Sequence, residues 1–174
     1  MNVFLSPLKD DDREQFIIDN QEAFSFGALE AFGFCDSHMD EEEIISKETV
    51  DQAIDAGVAY RIMLDENKVG GVVVHVREDV GVLTIFFVKP IVHNMGIGQA
   101  VWWLIEKMYS QVKIWETMIP YFEKHTVHFY VNCCGFHIVE FLNGFHRASG
   151  STYDYKITDE DEIDGMFVLR KAVI

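Results

Sequence analysis

The chain has 174 residues, 49% of them hydrophobic, with 29 acidic against 14 basic side chains. This length and composition can bury one core without disulfides or metals, and no linker, repeat or low-complexity tract divides the chain, so a single domain over residues 1–174 is expected. A net charge of −15 argues against a nucleic-acid ligand, and no apolar run approaches a membrane span.

The acid is unevenly spread. Residues 1–66 carry 17 acidic against 4 basic side chains, while residues 67–153 carry 6 against 7 and six of the seven histidines. Such a field attracts cationic amines and repels polyanions. Asp10, Asp11 and Asp12 interrupt any amino-terminal signal, and three cysteines, two of them adjacent, make a poor disulfide framework. A reducing, cytoplasmic setting is expected.

In chain order, Val3-Phe4-Leu5 predicts a short strand stopped by Ser6-Pro7. Asp10 to Phe26 predicts a helix with acid in its first turn and Phe16, Ile17, Asn20, Ala23 and Phe24 at helical spacing. Gly27 to Asp36 reads as loop or broken helix. A second helix is expected from Glu41 to Ala56, ending at Gly57. Val58–Leu64 and Val69–Val76 read as strands joined by a hairpin over Asp65-Glu66-Asn67-Lys68, and Val80–Val88 as the next strand. Ile97 to Val112 reads as a helix with Ile97, Ala100, Val101, Leu104, Ile105, Met108 and Val112 on one face. Adjacent Trp102 and Trp103 point about 100° apart, so one packs inward and the other meets solvent or a partner, which leaves a homodimer open. Lys113–Ile119, Thr126–Cys134, His137–Leu142 and Met166–Arg170 complete the pattern as strand, short helix and two strands. The order is βααβββαβαββ, an α/β (α+β) arrangement around a mixed sheet.

Between the strand ending at Val88 and the helix opening at Ile97 lies Lys89-Pro90-Ile91-Val92-His93-Asn94-Met95-Gly96. A strand, a turn stopped by proline and a Gly-x-Gly entering a helix together suit a phosphate. Glycine lets the backbone bend close to a ligand, and the helix start offers unpaired N–H groups. Gly98 is followed by Gln99-Ala100 and not by Lys-Ser/Thr, which excludes a Walker loop. Residue 101 is Val, which removes the third glycine of a Rossmann fingerprint.

Val88, Pro90, Gly96, Ile97 and Gly98 resemble motif A of the GNAT superfamily of N-acetyltransferases, with His93 where that family prefers Arg or Gln. Phe129-Tyr130-Val131-Asn132-Cys133-Cys134-Gly135-Phe136 is similar to its Phe-Tyr-x-x-x-Gly-Phe element, with one extra residue before Gly-Phe. The resemblance covers nearly the whole chain. It implies that the fourth and fifth strands splay apart around the pantetheine arm of acetyl-CoA. Backbone groups at Phe87 and Val88 would pair with that arm, and the segment His93, Asn94, Met95, Gly96, Ile97, Gly98 and Gln99 would meet the pyrophosphate. A neutral His93 still donates one hydrogen bond there.

The implied activity is transfer of an acetyl group from acetyl-CoA to a primary amine of a small, cationic molecule or of a protein. Tyr130 occupies the position of the family's acid for the leaving thiolate, unless the extra residue turns Val131 or Asn132 toward the site. For the base, Val80–Val88 offers only Thr84. Glu116, amid apolar neighbours, and His128 are the substitutes, with ordered water a further route. His125, His128, Cys133, Cys134 and His137 do not read as a zinc site, because adjacent cysteines cannot easily both bind one tetrahedral ion. No metal is expected. Two other readings are a catalytically silent acyl-CoA sensor and an acidic protein that mimics DNA.

Overall fold

The computed structural model describes residues 2–32, 45–146 and 165–173. Among these the elements run β1 (Val3–Pro7), α1 (Arg13–Phe32), α2 (Lys47–Ala56), β2 (Val58–Leu64), β3 (Asn67–Arg77), β4 (Val80–Val88), α3 (Ile97–Met108), β5 (Ile114–Pro120), α4 (Lys124–His128), β6 (His137–Leu142) and β7 (Met166–Ala172). This is the expected order. No helix among the described residues is long and apolar enough to cross a membrane.

The strands form one sheet, β1-β2-β3-β4-β5-β7-β6, antiparallel throughout except for the parallel pair β4–β5. Residues Val69 to Val74 of β3 are all buried, as a central strand covered on both faces requires. Alternating side chains feed two cores. Val72, Val74 and Leu83 pack with Trp102 and Ile105 of α3 and with Trp115 and Phe136. Val73, Ile85 and Phe87 pack with Phe16 and Ile17 of α1 and Val50 and Ala53 of α2.

Several boundaries differ from the sequence reading. Helix α1 does not break at Gly27 but continues to Phe32; one interior glycine costs a helix only about 1 kcal/mol. Residues 33–44, which hold part of the expected loop and the expected start of the second helix, lie outside the described residues. Helix α2 starts at Lys47, because Ser46 is extended and its hydroxyl accepts from the Thr49 N–H at 3.1 Å. The β2–β3 turn is only Asp65-Glu66, with Asp65 at φ 53°, and Asn67 and Lys68 already pair with Leu64 and Met63. Helix α3 ends at Met108; Val112 is buried by the turn that follows, not on the helical face. Strand β7 runs on to Ala172 because Ile114 opposite it needs a partner. Trp102 is fully buried and Trp103 is 60% exposed, the split that their adjacency demands.

The separation of β4 from β5 has a local cause. Val73 pairs with Ile85 and Val74 with Leu83, so Thr84 is an extra residue that bulges β4. Parallel pairing with β5 stops at Leu83↔Thr117. Beyond that point β4 remains bound to β3 as far as Gly70↔Val88, and β5 to β7 as far as Pro120↔Met166. The two strands diverge because each follows its outer neighbour.

Candidate active site

A cleft of about 360 Å³ opens where β4 and β5 part. Its walls come from α1 (Ala23, Phe24, Phe26, Gly27, Glu30), the end of β4 (Phe86, Phe87, Val88), the following loop and first turn of α3, and the α4 region. Phe87, Val88, His93, Asn94, Gly96, Ile97, Gly98, Gln99 and Tyr130 all line it. Met95, 47% exposed, belongs to the same loop but not to the lining.

The ladder between β3 and β4 decides which backbone groups face the gap. The Lys89 N–H donates to the Val69 carbonyl at 2.8 Å. In an antiparallel ladder every second residue shares that direction, so Phe87 is turned toward β3. Phe86 presents its N–H and C=O to the gap and Val88 its N–H, the Val88 carbonyl being taken by His93. The Phe87 backbone, expected to face a ligand, is instead directed to β3.

At the loop, Asn94 (φ 63°) and Gly96 (φ 74°) are left-handed, and Gly96 is the residue before α3. The first intrahelical bond runs from the Ala100 N–H to the Gly96 carbonyl at 3.1 Å, so the N–H groups of Ile97, Gly98 and Gln99 have no acceptor within the helix. An added Cβ at Gly96 would meet nothing within 4 Å, so this glycine is required by its backbone angle and not by crowding within the chain. Gly98 is different: its Cβ would lie 3.0 Å from the Phe129 ring, so glycine here lets α3 close on the α4 region. Gln99 Nε2 donates to the Cys133 carbonyl at 3.1 Å across the same seam.

His93 is not arranged as expected. Its Nε2 lies 2.8 Å from the Val88 carbonyl, and a carbonyl only accepts, so Nε2 carries the proton. A neutral ring then offers the loop a lone pair at Nδ1 and no further donor.

The extra residue before Gly135 is absorbed as a π turn over Phe129–Cys133, in which the Cys134 N–H bonds the Phe129 carbonyl at 3.0 Å. Tyr130 is therefore not displaced. It lines the cleft, 3% exposed, edge-on to Phe129 and Phe136. Burial pushes the phenol well above its ordinary value, so it stays protonated. Val131 packs against the core and Asn132 is exposed, bonding His128 at 2.9 Å.

No protein-family profile matches the chain. It is 40% identical over 169 residues to the uncharacterized protein YrkN of Bacillus subtilis (strain 168), a match covering 92% of this chain and 89% of that one. It superposes on the ribosomal-protein-S18-alanine N-acetyltransferase from Escherichia coli with a TM-score of 0.67 at 12% identity, covering 99% of this chain and 94% of that one. A GNAT family acetyltransferase from Elizabethkingia anophelis with acetyl-CoA bound gives 0.64 at 17% identity, covering 99% of each. The chain belongs to the family of YrkN and has the GNAT fold.

On this GNAT scaffold Glu116 does not reach the cleft. It lies in the paired part of β5 opposite Arg170 of β7, whose Nε donates to it at 2.7 Å, and its side chain is 2% exposed. The cleft's own carboxylates are Glu30 and Glu123, which the sequence reading missed. Glu123 precedes α4, and Thr126 Oγ1 donates to its Oε2 at 2.8 Å. Burial raises its carboxyl above the ordinary 4.5, and the Thr126 bond only partly offsets this. An acidic residue followed three positions later by threonine was the available signal, but the helix was expected to begin at Thr126. Among the described residues no group of three or more His, Cys, Asp or Glu is placed to hold a metal ion.

Proposed function

We propose that the chain is an acetyl-CoA-dependent N-acyltransferase acting on a primary amine. The observation that carries this reading is the juxtaposition of the β4–β5 gap with the unsatisfied N–H groups of Ile97, Gly98 and Gln99. A gap edged by backbone groups of Phe86 and the Val88 N–H fits an amide-bearing arm, and a glycine-entered helix start fits a diphosphate. Acetyl-CoA, when bound, supplies an acetyl group activated as a thioester. Phe86 and Val88 hold the arm, and the first turn of α3 holds the diphosphate. Tyr130 donates a hydrogen bond to the leaving sulfur, and Glu123 takes the proton of the acceptor amine. The base is thus assigned to Glu123, because Glu116 is committed to Arg170.

Calorimetry with acetyl-CoA, followed by an amine screen that detects free CoA, tests the reading. Gly96→Ala strains a left-handed backbone by about 1–2 kcal/mol, which the fold should bear, and should lower acetyl-CoA affinity about tenfold or more by shifting the first-turn N–H groups and adding a methyl at the cleft wall. Unchanged affinity in that folded variant would remove the loop from the cofactor site.

Glu123 also predicts a pH profile. A base with a raised pKa must lose its proton to act, so kcat/KM should rise with pH through a group titrating above 4.5. In Glu123→Gln that limb should vanish and the residual rate should become flat. Persistence of the limb assigns it elsewhere.

The acceptor is proposed to carry a further positive charge. Glu30 and Glu123 line the cleft, and no Lys or Arg does among the described residues. The amino-terminal acid contributes less than its total suggests, because Asp12 and Asp19 are paired with Arg61, Lys68 and Lys89, and Asp51 and Asp55 with Arg13. The specificity constant should fall with added salt, mainly through KM, over screening lengths of about 8–10 Å. A neutral acceptor, or kinetics indifferent to salt, would reduce the acid to a solvated surface.

A further inference from the structure

Gly27 lies in the interior of α1, where a glycine weakens the helix. Neither ordinary reason for keeping one applies. Its backbone is helical and not left-handed. Among the described residues outside its own helix backbone, an added Cβ would meet one atom within 4 Å, Glu123 Oε1 at 4.0 Å. That is plain van der Waals contact, so the chain itself has room for a side chain. Gly71 and Gly81 show the contrast: a Cβ there would lie 2.2 Å from the Phe16 ring or 2.5 Å from the Trp115 ring.

What the missing side chain keeps open is the space between α1 and Glu123, and that space joins two cavities. Beyond the β4–β5 cleft lies a second cavity of about 170 Å³, with Gly27 and Glu30 on one wall and residues 122–126 on the other. Gly27, Glu30 and Glu123 line both. Glu30 stands one turn beyond Gly27 on the same helix face. Opposite them Thr126 Oγ1 donates to Glu123 Oε2, and among the described residues no donor reaches Oε1. The carboxylate oxygen turned to Gly27 is the one left to a ligand. None of the residues assigned to acetyl-CoA lines the second cavity.

We propose that Gly27 is a specificity-determining residue for the acceptor: its bare backbone admits an unbranched primary amine from the second cavity to Glu123 Oε1. The inference rests on the reading of the cleft as an acetyl-CoA site with Glu123 as the base. A methylene chain is slim enough to lie along a helix that lacks a side chain at this point. Any side chain at position 27 would stand between that chain and Oε1.

Gly27→Ala, with 1,4-diaminobutane as the probe amine, tests this by three readouts. The denaturant midpoint should rise, because alanine suits a helix interior better than glycine. Acetyl-CoA affinity by calorimetry should stay within about twofold of wild type. KM for 1,4-diaminobutane should rise about fivefold or more with kcat within about twofold. Gly27→Leu, also a good helix former, should lower kcat/KM at least about a hundredfold. A glycine kept for structure alone would not give a more stable protein that holds its cofactor and loses its acceptor. Wild-type KM in Gly27→Ala and Gly27→Leu, or an equal loss of acetyl-CoA affinity, overturns the proposal. If the wild type releases CoA with other amines but not with 1,4-diaminobutane, this acceptor route falls while the proposed function stands. No acetyl-CoA binding overturns both.

Discussion

Replacing Tyr130 with phenylalanine is expected to lower turnover about a hundredfold or more while leaving acetyl-CoA affinity unchanged. The ring sits 5.2 Å from Phe136 and 5.1 Å from Phe129, contacts that phenylalanine keeps. Only the hydroxyl is lost. Burial raises the phenol, the nearby Cys134 and Glu123 raise it further, and the Thr117 side chain partly opposes them. A phenol held protonated in this way is a poor source of a whole proton but a fixed donor toward charge that develops on sulfur. Its contribution should therefore appear in kcat and not in binding. Wild-type turnover in Tyr130→Phe would take the hydroxyl out of the chemistry and leave Tyr130 as a packing residue.

Asp19→Ala should cost about 3–5 kcal/mol of stability, read by denaturant unfolding. Asp19 and Arg61 are each 2% exposed and joined at 2.8 Å. Arg61 also meets Asp12 at 2.7 Å, Lys68 meets Asp12 at 2.9 Å, and Lys89 meets Asp19 at 3.0 Å. Two carboxylates thus serve three cations, and removing Asp19 leaves Arg61, Lys68 and Lys89 to share Asp12. Arg61→Met should be milder, because it leaves the pairs Asp12–Lys68 and Asp19–Lys89 balanced. The reverse ranking would sink this account of the network.

The same network sets an acid limit. For Asp19, burial acts to raise the pKa, but hydrogen bonds from Gln15, Lys89 and Arg61 outweigh it; for Asp12, bonds from Arg61 and Lys68 do the same. Both carboxyls end below their ordinary 3.8, so the folded state favours their ionised form. Their stabilisation is complete above that value and is lost as pH falls through the depressed folded values. In Asp19→Ala this acid limb should be shallower.

Element order was legible because each element announces itself locally. The apolar period of Ile97 to Ile105 and the continuous apolar run of Val80 to Val88 need no distant partner to be read. The glycine-entered turn before α3 was legible for the same reason, and the structure puts its Gly96 at a backbone angle that most side chains resist. Gly27 misled because a glycine is a breaker only where nothing else holds the helix, and here α1 is held by the partly buried Ala23 before it and the buried Ala28 after it.

The site was legible at the loop and much less so across the cleft. Glu116 read as a base because its neighbours in sequence are apolar, yet its partner Arg170 is 54 residues away and adjacent only through the β5–β7 register. Glu123 carried only the weak signal of a threonine three positions on, and it enters the cleft because α1 and α4 both wall it.

The sequence by itself determined the succession of strands and helices, the glycine-entered turn after Val88 and the opposite facing of the two adjacent tryptophans. Those follow from periodicity and backbone preference within about a dozen residues. Tertiary structure alone decided that Phe86 and not Phe87 faces the gap, that Glu116 is tied to Arg170, and that one extra residue becomes a π turn that leaves Tyr130 in the cleft. Each depends on which remote backbone or side chain stands opposite. Strand register and helix docking set that opposition, and no stretch of neighbouring residues encodes it.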